Sequence, residues 1–362
     1  MTISLCMIVK NEEETLARCL DSVGSLADEI IITDTGSTDH TLDIAYQYTD
    51  QVYTFPWVDD FSAARNAGLK LAQMDFILWL DADDVLPPAS LKALLALKKG
   101  LTPDVSMVML PYHVAFDENG TPTLTYYRER LFRNHQGFFF EGAVHEAVTP
   151  RGNVIWRDIP IEHRKLRPSA PGRNLAILRA RQAAGLPFEP RQQYYYGREL
   201  FDHERYLEAS QALAAYLDSG GGWEENNIEA CYLLSQCYTH LGEEQPALEA
   251  LFQSFSYGLP RPEGLCRIGE WFLNHNRLAE AVYWYEQALS CPPAEGGGFT
   301  HPEFEGYIPC LQLCVCYDRL KRYDVAAQYN RRALEYRPGS QVCLDNENYF
   351  AARLKGDARE PV

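Results

Sequence analysis

Asp81-Ala82-Asp83-Asp84 follows the apolar run Phe76-Ile77-Leu78-Trp79-Leu80, a pattern that delivers three carboxylates to the end of a buried strand. Ligands of open α/β sheets collect in the crevice outside the carboxyl ends of the strands. Carboxylates there can hold a hard divalent cation against a diphosphate. Taken alone, the cluster also suits a turn before a helix N-terminus, because Pro87-Pro88 comes directly after it. Asp34 offers a second carboxylate at a strand end, inside Ile31-Ile32-Thr33-Asp34-Thr35-Gly36-Ser37. There it can accept a hydrogen bond from a base or ribose, while Gly36 permits close backbone approach.

A parallel sheet covered by helices would bring these residues to one edge, and residues 1–81 alternate strand and helix in that manner. Strands are expected at Ile3–Val9, Glu29–Thr33, Gln51–Phe55 and in the run leading into Asp81. Helices are expected from about Glu13 to Val23, from a cap at Ser37, Thr38 or Asp39 to about Tyr48, from about Phe61 to Ala72, and around Ser90–Lys98. Val105–Ala115 and Leu124–Arg133 then read as antiparallel strands about the turn Asp117-Glu118-Asn119-Gly120.

The second half carries an internal repeat. Arg277-Leu278-Ala279-Glu280-Ala281 aligns with Arg322-Tyr323-Asp324-Val325-Ala326 at an offset of 45, and Ala247 precedes Ala281 by 34. Thirty-four residues is the tetratricopeptide period. A weaker copy, Tyr206-Leu207-Glu208-Ala209, sits 38 before Ala247, with Gly220-Gly221-Gly222 absorbing the excess. The loop Pro292–Gly298 accounts for the longer spacing. Such repeats predict a stacked all-α solenoid. The Pro-rich segment Pro168-Ser169-Ala170-Pro171-Gly172 marks the boundary, giving domains at 1–170 and 171–362 with a helix from about Arg173.

Composition narrows the partners. At 362 residues the chain suits two domains. The formal charge of −17 divides into −9 over residues 1–170 and −8 over 171–362, so neither half is a basic nucleic-acid surface. Eight of the ten cysteines lie after residue 230 at positions expected on buried helix faces, which favours free thiols over disulfides or zinc. The apolar start, Met1 to Val9, has no basic leader and reads as a first strand, and no stretch is long enough for a membrane span. A cytoplasmic protein is expected.

Taken together, Ile8-Val9-Lys10-Asn11-Glu12, Asp34-Thr35-Gly36-Ser37-Thr38-Asp39-His40-Thr41, Ala64-Arg65-Asn66-Ala67-Gly68 and Asp81-Ala82-Asp83-Asp84 resemble the family 2 glycosyltransferases of GT-A fold, in that family's order. The resemblance implies a Rossmann-like α/β domain that binds a UDP-sugar, UDP-glucose by default. It implies a backbone contact from Ile8 and Val9 through Lys10, a base contact from Asp34, and Asp83 as metal-holding residue supported by Asp81. Glu12, Ala82 and Arg133 join the expected donor site. Arg65 and Asn66 would brace the pocket, Arg65 either by touching substrate or by pairing with the strand-end aspartates.

The family's acidic base falls in Phe140-Glu141-Gly142-Ala143-Val144-His145-Glu146. Position favours Glu146. His145 stands where the family more often has Glu, so Glu141, His145 or a residue outside the segment stay in contention. Ile159-Pro160-Ile161-Glu162-His163-Arg164 resembles a late strand carrying a metal-ligating His, and this implies a cofactor of Mn²⁺ or Mg²⁺, imidazole suiting Mn²⁺ better. Arg130, Arg133 and Arg164 are candidates to neutralise the departing diphosphate. The implied reaction is one in-line displacement, which inverts the anomeric carbon.

The arrangement of a short GT-A domain before helical repeats is similar to the bacterial transferases that glycosylate cysteine or serine of ribosomally made peptides, the sublancin S-glycosyltransferase group. It implies a peptide or protein acceptor bound between the two domains, and a homodimer is compatible with it. A saccharide or lipid-linked acceptor is the alternative within enzymes, and an inactive repeat scaffold the alternative outside them. A nucleotidyltransferase is disfavoured because Lys10-Asn11-Glu12-Glu13-Glu14 is acidic and lacks glycine.

Overall fold

The computed structural model describes residues 1–118, 120–166, 171–292 and 298–357. The expected turn at Asn119, most of the Pro168–Gly172 boundary, the core of the 292–298 loop and the end of the C-terminal segment lie outside the described residues. In chain order the first part holds β1 (Ile3–Val9), α1 (Leu16–Val23), β2 (Glu29–Asp34), α2 (Thr41–Ala45), β3 (Val52–Thr54), α3 (Phe61–Leu69), β4 (Phe76–Trp79), β5 (Asp84–Val85) and α4 (Pro88–Gly100). After these come β6 (Met107–Phe116), β7 (Pro122–Arg133), β8 (Phe140–Glu141), β9 (Ala147–Val148), β10 (Val154–Trp156), β11 (Ile161–His163), α5 (Arg173–Ala183) and α6 (Pro190–Asp202).

The main sheet runs β3-β2-β1-β4-β7-β6-β11-β5, with β10 beside β6. Its first four strands are parallel, as the alternation of strand and helix predicts, and β7 joins β4 antiparallel. Central strands of such sheets are apolar on both faces. In β4, Phe76 and Leu78 face the layer formed with α1 and α4, while Ile77 and Trp79 face the layer under α3. Because β4 runs parallel to β1 and β1 to β2, the chain after Trp79 leaves at the same edge as the ends of β1 and β2.

Helix α3 lies close on β2. A Cβ added at Gly68 would stand 2.7 Å from Thr33 Oγ1, a buried hydroxyl without a hydrogen-bond partner among the described residues. Gly68→Ala is therefore expected to cost about 1–3 kcal/mol, as overpacking does. Thr33→Ala in the same protein should recover most of it, measured by urea unfolding.

Contacts divide the chain into two compact units after His203, later than the 170/171 boundary expected from composition. The difference is that α5 and α6, helical like the C-terminal repeats, pack in the first unit. Ile177 and Leu178 join Ala143, Val144, Trp57 and Phe61 in one apolar cluster. Composition cannot register such a contact.

The second unit contains α7 (Tyr206–Asp218), α8 (Glu224–Leu241), α9 (Glu244–Gln253), α10 (Pro262–Asn274), α11 (Leu278–Ser290), α12 (Tyr307–Arg319), α13 (Tyr323–Tyr336) and α14 (Gln341–Asp357). The pairs α8/α9, α10/α11 and α12/α13 are helical hairpins, a tetratricopeptide-like repeat. Ala209, Ala247, Ala281 and Ala326 are each the fourth residue of a helix and have no exposed surface. Only a methyl group fits where helices approach so closely. The turns repeat too: Glu204, Gly242, Asn276 and Lys321 all adopt positive φ, between 56 and 76°, and stand 38, 34 and 45 residues apart. The last three turns close with an amide-to-carbonyl bond, from Glu243 to Tyr238, Arg277 to Phe272 and Arg322 to Tyr317, which satisfies a carbonyl at the helix end. All ten cysteines are free, and nine are buried.

Candidate active site

Val9 pairs with Asp34 and Cys6 with Trp79, so β1, β2 and β4 end along one edge. The loops that leave them line a cleft of about 580 Å³, of the size that holds a small-molecule ligand. Its wall near β1 is pinned to the loop after β2. Asn11 adopts a φ of 56°, its amide donates to Ser37 Oγ and its Oδ1 accepts from the Thr38 amide. Asp39 accepts from the Glu13 and Thr41 amides, and Glu13 from the His40 amide. The two motifs thus hold each other.

The acidic cluster is sorted by its partners. Asp84 is fully buried, accepting from Arg130 at 2.9 Å, from the Tyr112 hydroxyl at 2.7 Å and from the Asp81 amide at 2.9 Å. Its place is set by pairing of β5 with β11, which puts Asp84 opposite His163. Asp83, Asp84 and His163 each bring one ligand atom within 4.8 Å of the others. Asp84 is committed to Arg130 and Tyr112, whereas Asp83 and His163 line the cleft. A carboxylate with an imidazole fits a divalent ion, Mn²⁺ better than Mg²⁺. His163 Nδ1 lies 3.3 Å from Asp83 and 2.8 Å from the Tyr112 hydroxyl. Burial opposes a charged ring there, but hydrogen bonds and charge from Asp83 and Asp84 raise His163 to about 9.

Arg65 ties Asp81, at the end of β4, to Glu146. Its Nε donates to Glu146 and its NH2 group to Asp81, both at 2.6 Å. The guanidinium lies 4.7 Å from the Trp79 ring centroid. Burial would raise the Asp81 carboxyl, but Arg65 and Arg130 hold it well below the usual carboxylate range. Both of the roles considered for Arg65 remain compatible with this geometry, since it pairs with a strand-end aspartate while lining the cleft.

Ile8, Val9, Glu12, Arg65, Asp81, Ala82, Asp83, Glu146 and His163 line this one cleft, as does His145. Other expected residues do not. Arg133 pairs with Phe76 at the start of β4, the far end from Asp81, and donates to the Pro103 carbonyl. Glu141 is exposed and accepts from Thr149. Asp34 accepts from the Gly36 and Ser37 amides and shapes the turn after β2. The Asn66 side chain clamps the Phe140 backbone, its Nδ2 donating to the carbonyl and its Oδ1 accepting from the amide. Arg130 is fully buried against Asp84, and Arg164 pairs with Glu162, so neither faces the cleft.

Sequence reasoning missed Tyr112, Arg128, Trp57 and Arg173, all of which line the cleft. One signal for Arg128 was present. Tyr126 and Arg128 stand two apart on β7 and share a face, while a register shift leaves Arg130 outside that alternation, and an arginine on the inward face of a strand demands buried acids.

Residues 4–155 match the family model described as Glycosyl transferase family 2. Over 147 residues the chain is 42% identical to a TPR repeat-containing protein of Synechococcus elongatus, covering 40% of this chain and 35% of that protein. Over 148 residues it is 32% identical to the SPbeta prophage-derived glycosyltransferase SunS of Bacillus subtilis, covering 40% of this chain and 34% of that one. The matches thus span about a third of the length of these curated relatives. Among solved structures, YrrB, a TPR protein, aligns over 49% of this chain and 82% of its own at 18% identity, with a TM-score of 0.38.

Proposed function

We propose, from the premise that residues 4–155 form a family 2 glycosyltransferase domain, that the chain transfers a hexose from a UDP-sugar, UDP-glucose favoured, to a cysteine, serine or threonine side chain of a peptide or protein. The reading rests on one observation: Asp83 and His163, a pair suited to a divalent ion, face the same cleft as Glu146 and His145, which have proton-accepting atoms. Donor and acceptor chemistry then have a common floor at the strand ends. Repeat domains of the kind formed by α8 to α13 build concave surfaces for extended peptides, which supports a peptide acceptor.

Asp83 and His163 would hold the ion, and a bound divalent cation stabilises charge on a departing diphosphate. Ile8 and Val9 supply backbone beside the donor. Arg65 keeps Asp81 ionised and in place. The proton of the attacking hydroxyl or thiol passes to the segment ending in His145-Glu146, where Glu146 is the residue that position in the sequence favours. A single displacement inverts the anomeric carbon.

Purified protein given a panel of nucleotide sugars should hydrolyse a UDP-hexose slowly, detected by mass spectrometry without any known acceptor. Excess chelator should abolish the hydrolysis, and Mn²⁺ should restore it better than Mg²⁺. Undiminished hydrolysis in chelator would remove the metal from the account.

A further inference from the structure

Glu199 lies on α6, outside the residues matched by the family model, yet its carboxylate backs His145, which lines the cleft. It is buried, and its Oε1 meets His145 Nε2 at 2.6 Å and accepts from Asn174 Nδ2 at 2.9 Å. The His145 ring stacks on Tyr195 with centroids 4.1 Å apart and planes 8° from parallel. Arg191 donates to the His145 carbonyl at 3.0 Å. Burial would raise the Glu199 carboxyl, but hydrogen bonds from His145 and Asn174 outweigh it and keep the group low.

A buried carboxylate on one ring nitrogen selects the tautomer in which that nitrogen carries the proton. Nε2 is so held, and among the described residues His145 Nδ1 has no hydrogen-bond partner. Glu146 differs: its Oε1 is taken by Arg65 at 2.6 Å, and its carbonyl by Arg128. His145 adopts a φ of 52°, in the left-handed region where Asn, Asp and His are enriched among non-glycine residues.

We propose that His145 is the base that takes the proton from the attacking group, that Glu199 is its positioning residue, and that Glu146 is the counter-charge fixing Arg65. The assignment rests on the glycosyltransferase reading of the cleft. The Nδ1 lone pair accepts the proton as the acceptor's O–H or S–H bond breaks. The freed electron pair forms the bond to the anomeric carbon, whose bond to the diphosphate oxygen breaks with its pair leaving on the nucleoside diphosphate. The imidazolium that forms faces Glu199, as in other carboxylate-oriented histidine bases.

The test uses full-length protein, UDP-glucose and Mn²⁺, with water as acceptor. His145→Gly suits the positive φ, so the variant should fold. Its hydrolysis rate should fall at least about a hundredfold, the scale of lost general-base catalysis, while UDP-glucose affinity by calorimetry stays within about twofold. Added imidazole should restore the rate in proportion to its concentration. His145→Gln, which can keep the bond to Glu199 without accepting a proton at Nδ1, should be equally slow, and Glu199→Gln intermediate. Wild-type rates in His145→Gly, or a loss that imidazole does not restore, would overturn the role of His145 alone. Wild-type protein that binds and hydrolyses no nucleotide sugar would instead remove the reading on which it rests, and this proposal with it.

Discussion

Asp83→Asn is expected to lower UDP-sugar turnover by at least about a thousandfold, the loss of a principal charge at a site of diphosphate departure, while the protein stays folded. The effect depends on where each aspartate spends its oxygens. Asp83 lines the cleft, and its side chain meets His163 at 3.3 Å. Its contribution to the backbone, a carbonyl accepting from the Arg164 amide at 2.9 Å, survives the substitution. Asp84 is the contrasting neighbour. It neutralises the fully buried Arg130, so its charge serves the fold. Steady-state rates and a thermal melt on Asp83→Asn separate the two effects. A melt unchanged within a few degrees with activity gone supports the assignment, and near-normal turnover would sink it.

Arg65→Met should lose both stability and activity. Removing one member of a buried ion pair is more costly than the pair is worth, because the partner's charge stays behind without compensation, and about 3–5 kcal/mol is typical. Here two partners are left, Asp81 and Glu146. Asp81 keeps some contact with solvent, which argues for the lower part of that range. A double-mutant cycle makes the coupling visible. Glu146→Gln alone breaks the pair from the other side, so in the Arg65→Met background it should cost less than in the wild type. Equal costs in urea unfolding would mean that Arg65 and Glu146 act independently.

The strands were legible where their apolar pattern is long. Ile3–Val9 has the bounds the sequence predicts, because a strand buried on both faces writes a continuous apolar run. The repeat was legible for a related reason: Ala247, Ala281 and Ala326 are compelled to be small by the helices that meet there. Pairings between distant residues could not be read. β5 is only two residues long, yet its register against β11 brings His163 to Asp84, 79 positions away. Arg130 and Arg133 look alike in the sequence, and the order of strands β4 and β7 sends the first into a buried pair beside the cleft and the second to the opposite end. Glu199 was invisible as a site residue, since its partner His145 lies in another stretch of chain and nothing near Glu199 in the sequence marks it.

The central claim, that the cleft at Asp83 takes a nucleotide sugar through a divalent ion, is tested most directly by isothermal calorimetry of UDP-hexoses against the full chain. Saturable binding in Mn²⁺, lost in chelator and lost in Asp83→Asn, is the result predicted. No binding of any nucleotide sugar by folded wild-type protein, or equal binding by Asp83→Asn, would contradict it.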